Sequence, residues 1–397
     1  MRNKLVFIFL FSIILGQDLN QVFLEIRDSN QASWWSKKNN NGLNPSKSYF
    51  SFSINKQFDK YDFFVSSYIN KEEIILGESF INIEFLPNYY LKLGRYYRDF
   101  SSYLNDELSS GSMLISKNAL PIPKIGFFGD YQVKKNIKYK LQYGISHSLL
   151  DKNDTYNESP YIHEKFLYLI NNNNHYEFGF GFVHEAVWAG STFRDGEFPD
   201  SINDYLKVII SADGDFIEGQ PHANALGNHL GIWDIYYIKK NTNNSLKFYH
   251  QHFFEDTSGL RFKNRFDGLW GFEYQDFSSK SIILLEYINT INQNRDPPYV
   301  SENYYNHTEY TLGWTYKGYV IGNPFVNNNP SKVIHAGFAN RDIGNFKLKI
   351  LLSRKINTND TLKYSISFGK AFENLTTLFF VNGGKSKNIL LNIIYDI

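Results

Sequence analysis

Apolar and polar residues alternate with period two along most of this chain. In Ile137-Lys-Tyr-Lys-Leu-Gln-Tyr-Gly-Ile145, the residues Ile137, Tyr139, Leu141, Tyr143 and Ile145 share one face, and Lys138, Lys140, Gln142 and Gly144 the other. Tyr176, Phe178, Phe180 and Phe182 alternate with Glu177, Gly179 and Gly181. Tyr310, Leu312, Trp314 and Tyr316 alternate with Glu309, Thr311, Gly313 and Thr315, and Leu362, Tyr364, Ile366 and Phe368 with Lys363, Ser365 and Ser367. Similar runs lie near Phe50–Ile54, Ile81–Phe85, Leu246–His250 and Leu391–Ile397. Successive side chains of a strand point to opposite sides, so each run predicts a half-buried strand. No apolar stripe at helical spacing stands out.

Turn chemistry separates the runs. Asn171–Asn174, Asn241–Asn244, Asn357–Asp360 and Asn382–Gly384 are short and rich in residues that tolerate the positive φ of tight hairpins. Glu185–Asp204, Phe254–Asp267 and Ile291–Asn306 are longer connections. Short turns on one side and long loops on the other describe an outer-membrane barrel. Counted back from Ile397, the hairpins put the short turn near Ser278 and the long loop near Arg295 on the wrong sides. That points to a merged or unrecognised strand between Gly318 and Ser331.

A secreted sandwich would also alternate, but it would bury its apolar face and is usually smaller. No linker or composition shift divides the chain. The polar faces are rich in Gly, Ser and Thr, as suits an enclosed lumen. Aromatic pairs at strand ends, Tyr89-Tyr90, Tyr96-Tyr97, Tyr236-Tyr237 and Tyr304-Tyr305, suit interfacial girdles. The fold expected is all-β: one transmembrane antiparallel β-barrel with long outer loops over residues 17–397. Residues 1–16, MRNKLVFIFLFSIILG, have a basic start, an apolar core too short to span a bilayer and a small residue at the end, the pattern of an export signal.

Composition narrows the function. Net charge is +1, with 41 Lys+Arg against 40 Asp+Glu, so no bulk electrostatic attraction to nucleic acid is expected. Aromatics make up 18% of the chain, which excludes a disordered one. Cys is 0, which removes disulfides, thiol nucleophiles, Cys-based zinc sites and a lipid-anchored leader. Mean hydropathy of −0.39 excludes a bundle of membrane helices.

Four stretches, in this order, resemble the Wzi family of capsule assembly proteins. They are Leu108–Lys124 (LSSGSMLISKNALPIPK), Tyr161–Lys165 (YIHEK) with Val183–Gly190 (VHEAVWAG), Gly227–Asp234 (GNHLGIWD), and Tyr249–Arg261 (YHQHFFEDTSGLR) with Asp267–Gly271 (DGLWG). The resemblance spans roughly residues 80–325. It implies an outer-membrane barrel of about eighteen strands. It also implies a lectin-like, non-enzymatic role: holding capsular or extracellular polysaccharide at the cell surface. The family often carries a helical segment ahead of the barrel, whereas here strand-like Gln21–Ile26 follows the leader directly. The partners of such a protein are the polysaccharide, outer-membrane lipid and the polysaccharide export machinery. A porin or substrate-specific channel is the alternative.

Sugar recognition uses flat aromatic faces and planar polar groups that bond hydroxyls in pairs. The outer loops offer Trp188, Arg194, Asp195, Glu255, Asp256, Arg261, Arg265, Asp267 and Trp270 as candidates. Replacing Trp188 or Trp270 by Ala is expected to weaken polysaccharide binding. Arg and acids at a barrel mouth also pair simply with one another. His250 and His252 share a strand face near Glu255 and Asp256, yet spacing specifies no third metal ligand, so they are read as hydrogen-bonding groups of the lumen or mouth. No cofactor is expected. No G-x-S-x-G elbow or phosphate loop is present. Adjacent Glu255 and Asp256 would point apart in a strand, which removes them as an opposed catalytic pair.

Overall fold

The computed structural model describes residues 19–27, 32–134, 137–214, 225–255, 257–293, 303–326, 329–343 and 346–397. Residues 1–16, expected to be an export signal, and Asp256 and Arg295 lie outside the described residues. The alternating runs form β1 (Leu19–Arg27), β2 (Tyr49–Gln57), β3 (Tyr61–Ile69), β4 (Ile74–Leu86), β5 (Tyr89–Arg95) and β6 (Pro123–Lys134). They continue as β7 (Ile137–Leu149), β8 (Tyr161–Asn172), β9 (Tyr176–Trp188), β10 (Asn228–Lys240), β11 (Asn244–Phe254) and β12 (Gly268–Asp276). The last are β13 (Ser281–Asn289), β14 (Lys332–Ile343), β15 (Phe346–Lys355), β16 (Lys363–Phe372), β17 (Leu375–Gly383) and β18 (Asn388–Asp396). Each pairs antiparallel with its sequence neighbours. β1 also pairs with β18, Phe23 opposite Ile394 and Ile26 opposite Leu391, so the 18-stranded sheet closes on itself.

The faces divide as the period requires. Leu167 and Leu169 of β8, Phe178 and Phe180 of β9, Phe248 of β11 and Ile283 and Leu285 of β13 are exposed. Their inward neighbours Tyr168, Val183, Tyr249, Leu284 and Glu286 are buried. An apolar outer belt around a polar, filled interior is the pattern of a membrane-spanning barrel. No helix among the described residues is long and apolar enough to cross a membrane; the crossing is made by strands. The small residues of the inward face have a packing purpose. A Cβ on Gly179 would stand 2.1 Å from the Tyr236 ring, and one on Gly181 2.2 Å from the Tyr168 ring, so these glycines let the rings lie flat on the wall.

Sidedness is clean. Connections 58–60, 87–88, 173–175, 241–243, 277–280 and 373–374 share one end with the termini of the barrel. The long connections that leave the barrel after Arg95, Leu149, Trp188, Phe254 and Asn289 start from the other. Asn357–Asp360 and Asn382–Gly384, though short, also belong to the loop end. The alternation over Tyr310–Tyr316 is not a barrel strand. It lies in the connection between β13 and β14, where only Thr315–Tyr316 pairs, with Tyr319–Val320. Counting it as a strand reverses the parity of every hairpin before it, and among the described residues no barrel strand lies between Gly318 and Ser331.

Two further expectations need correction. Tyr237 is exposed on the outer face, but Tyr96, Tyr97, Tyr304 and Tyr305 are buried inside the mouth and form no girdle. A helix, Ile202–Ile210, lies in the connection after β9. Its start is fixed by a capping box, with Ser201 accepting from the Asp204 N–H and Asp204 accepting from the Ser201 N–H.

Candidate functional site: a sealed outer mouth

Long loops mark the cell-exterior end of such barrels and short turns the periplasmic end. After Arg95 the chain does not leave the barrel but turns into it. Segment 96–122 crosses the lumen and meets inward residues of strands from β8 to β14. Asp234 of β10 accepts hydrogen bonds from the hydroxyls of Ser101 and Tyr103 and from Tyr168 at 2.6 Å. Glu286 of β13 accepts from Ser109 Oγ at 2.6 Å, from the Ser110 N–H at 2.7 Å and from Tyr249. Gln251 of β11 accepts from the Met113 N–H at 2.9 Å. His335 of β14 donates from Nε2 to the Leu108 carbonyl at 2.6 Å, and its Nδ1 is hydrogen-bonded with Ser353 Oγ at 2.7 Å. Lys124, where the plug rejoins the wall, pairs with Glu164 of β8 at 3.2 Å. Buried carboxylates are costly unless they are bonded. The sites of Asp234 and Glu286 are built so that the plug supplies the missing donors.

A second segment, 303–326, lies over the plug as a lid. Trp314 Nε1 donates to the Leu114 carbonyl at 2.8 Å, and Asn323 Nδ2 to the Gly111 carbonyl at 2.6 Å. Ser116 Oγ donates to the Gly322 carbonyl at 2.7 Å, and Tyr305 donates to the Met113 carbonyl. The connection after β1 closes the same mouth, with Trp34 stacked on Phe325 of the lid at 4.2 Å.

The outward surface of this seal carries charge of both signs. The Arg194 side chain is 60% exposed and pairs with Asp195 at 2.6 Å. It also donates to the Thr308 carbonyl of the lid at 2.6 Å. Lys317 of the lid pairs with Asp151 at 3.0 Å. The Arg194 guanidinium holds the Asp195 carboxyl below the usual range. Burial, with Asp195 nearby, pushes the Glu309 carboxyl up. Burial pushes His307 down to about 4, so the ring is neutral. Its Nδ1 then accepts the N–H groups of Glu309 and Tyr310 at 3.2 and 3.3 Å and shapes this rim.

The sequence candidates separate into three places. Arg194 and Asp195 reach the mouth surface. Glu255 and Asp267 are internal fasteners. Glu255 accepts from the Tyr305 N–H at 3.0 Å. Asp267 accepts from Asn292 N–H and Nδ2, both at 2.8 Å, and from Tyr304 at 3.2 Å. The remaining described candidates lie on the barrel's outer flank. Trp188 belongs to β9, not to a loop, and is 6% exposed, its ring stacked on Tyr205 at 5.0 Å. Trp270 is a β12 residue stacked on His250 at 3.8 Å. Arg261 and Arg265 are exposed in the turn that follows β11. His250 and His252 share the outward face of Phe248, not the lumen or mouth. Their ring nitrogens meet the carbonyls of Leu269 and Gly259 at 3.1 and 3.0 Å. Among the described residues no group of three or more His, Asp or Glu is arranged to hold a metal ion. Thr308 was missed, because only the fold brings it to Arg194, and so were Lys317 and Asp151, which the fold brings to each other.

The sequence profile described as capsule assembly protein Wzi matches residues 45–336. Among solved structures, the chain is similar to Wzi of Escherichia coli, described as an outer membrane protein involved in group 1 capsule assembly and a carbohydrate-binding β-barrel. The TM-score is 0.67 at 14% identity, over 99% of this chain and 87% of that one. It is also similar to a mutant porin of Rh. blastica, with a TM-score of 0.40 at 8% identity, over 96% of this chain and 99% of that one. No curated protein matches the chain.

Proposed function

Because the chain belongs to the capsule assembly protein Wzi family, we propose that it is an outer-membrane lectin-like barrel that holds capsular or extracellular polysaccharide against the cell surface. The observation that carries this reading is the sealed mouth. The plug is bonded to the wall through Asp234, Gln251, Glu286 and His335, and the lid to the plug through Trp314 and Asn323. The same bonding weighs against a diffusion channel, which needs a continuous water path. What remains for function is the surface of the seal, where Arg194, Asp195, Lys317 and Asp151 offer planar and charged groups to hydroxyls and carboxylates.

The role is binding, not catalysis. Individual contacts of this kind are weak, and a repeating polymer engages many of them at once, so avidity supplies the affinity. The polymer would be received as the export machinery delivers it. A glycan array probed with detergent-purified protein tests the reading. Binding to surface polysaccharides is expected, and Arg194→Ala combined with Lys317→Ala should weaken it about tenfold, the effect of losing roughly 1.4 kcal/mol. An array without any bound polysaccharide overturns the proposal.

A further inference from the structure

The lipid-facing wall has a polar interruption near its outer rim. His147 of β7, His163 and Lys165 of β8, His184 of β9 and His229 of β10 all point outward, on the same faces as Ile145, Leu167, Phe180 and Tyr237. Polar groups here would meet lipid if nothing covered them. The helix Ile202–Ile210 is the cover. Tyr205 approaches His163 at 3.3 Å, and Ser211 approaches His184 at 3.0 Å. Lys165 donates to the Ile209 carbonyl, a cation placed at the helix C-terminus. His184 and His229 bond to each other at 2.9 Å beneath it.

The helix therefore lies outside the barrel, and its far side is apolar. Ile202 is 81% exposed and Ile210 75%, with Leu206 exposed between them at the same helical spacing. Phe193 from the preceding loop is exposed too. A second piece flanks it. The turn after β11 folds outward, with Phe262 stacked on outward-facing His252 at 4.2 Å and Trp233 Nε1 donating to the Leu260 carbonyl at 3.3 Å. There Arg261, Lys263 and Arg265 are exposed beside exposed Phe262 and Phe266.

We propose that helix Ile202–Ile210 and the turn 257–266 form a collar that seats in the outer leaflet, its apolar residues at the acyl boundary and Arg261, Lys263 and Arg265 against lipid phosphates. Continuity decides the occupant. The collar stands on strands whose exposed Leu167, Phe180, Tyr237 and Phe248 belong to the apolar belt directly below it. Amphipathic helices with this division lie in the membrane interface, and basic residues beside aromatics match anionic headgroups.

The chain has no Cys, so nitroxide labels can be placed one at a time. Leu206→Cys, Ile210→Cys and Phe266→Cys would be labelled in the full-length barrel in phosphatidylcholine nanodiscs containing lipid A, with Arg194→Cys as the aqueous reference. Heat-resistant gel migration selects folded protein. All three collar labels are expected to favour oxygen over a water-soluble nickel chelate as collision partner, and the Arg194 label the reverse. Collar labels that behave like the reference overturn the proposal, as does spin–spin broadening from a second copy at the same face. Arg261→Glu combined with Lys263→Glu and Arg265→Glu should lower lipid A retained per barrel in native mass spectrometry several-fold. Unchanged retention refutes the phosphate contact.

Discussion

The Tyr103 hydroxyl, carried on the plug, donates to Asp234 on the barrel wall while its ring stacks on Tyr236 at 4.4 Å. Wall and plug are thus one unit, because the plug supplies two of the hydroxyls that the buried acid accepts, Ser101 and Tyr103. Glu286 repeats the arrangement with Ser109 and Ser110. Bonds to a charged group are worth about 1.5–3 kcal/mol each, and removing the acceptor strands several buried donors. Asp234→Ala combined with Glu286→Ala should therefore loosen the plug. In planar bilayers the native protein is expected to be silent, and the double variant to show fluctuating conductance. Steady ion-permeable steps from the native protein would contradict the seal.

Trp188 is a packing residue. Its ring lies between Tyr205, Tyr161 and His147 on the outer flank. Trp188→Ala should lower stability by about 3 kcal/mol, as other buried aromatic truncations do, and leave polysaccharide binding unchanged. Unfolding of the heat-resistant band and a binding isotherm measure the two effects separately. This outcome differs from the one expected from the sequence, and the reason for predicting it is the stacking of Tyr205, from helix Ile202–Ile210, on the ring.

Asp267 predicts a pH dependence. Burial pushes its carboxyl from an ordinary 3.8 up to about 6, against the opposing hydrogen bonds of Asn292 and Tyr304. The native state therefore holds a proton that the unfolded chain has released. This contribution is fully present below about pH 4 and is lost as pH rises through about 6. Relative to Asp267→Asn, the native protein should lose stability across that window, by about 3 kcal/mol in all. Parallel melts of the two proteins from pH 4 to 7 would show it, and a constant difference across the range would rule it out.

The barrel was legible because lipid and lumen impose opposite polarities on alternate residues, as Tyr176–Phe182 displays. The four family stretches were legible too, and the fold explains their company. Leu108–Ile122 is plug, with Lys124 where it rejoins the wall, while Glu164, Asp234 and Gln251 from the other stretches are wall residues that bond to them or to the rest of the plug. Period two misled at Tyr310–Tyr316. Residues two apart can also be buried together in an irregular lid, where Tyr310 reaches the Ala189 carbonyl and Trp314 the Leu114 carbonyl. The collar was invisible for a related reason. A stripe such as Ile202, Leu206 and Ile210 is too short to stand out from strands of similar composition, and only its seat over His163 and His184 gives it meaning.

The most direct measurement is the partition of surface polysaccharide between cells and medium, with and without the gene. Cells lacking this protein should make the polymer in normal amount and shed most of it. Equal retention on both kinds of cell would contradict a role in holding it.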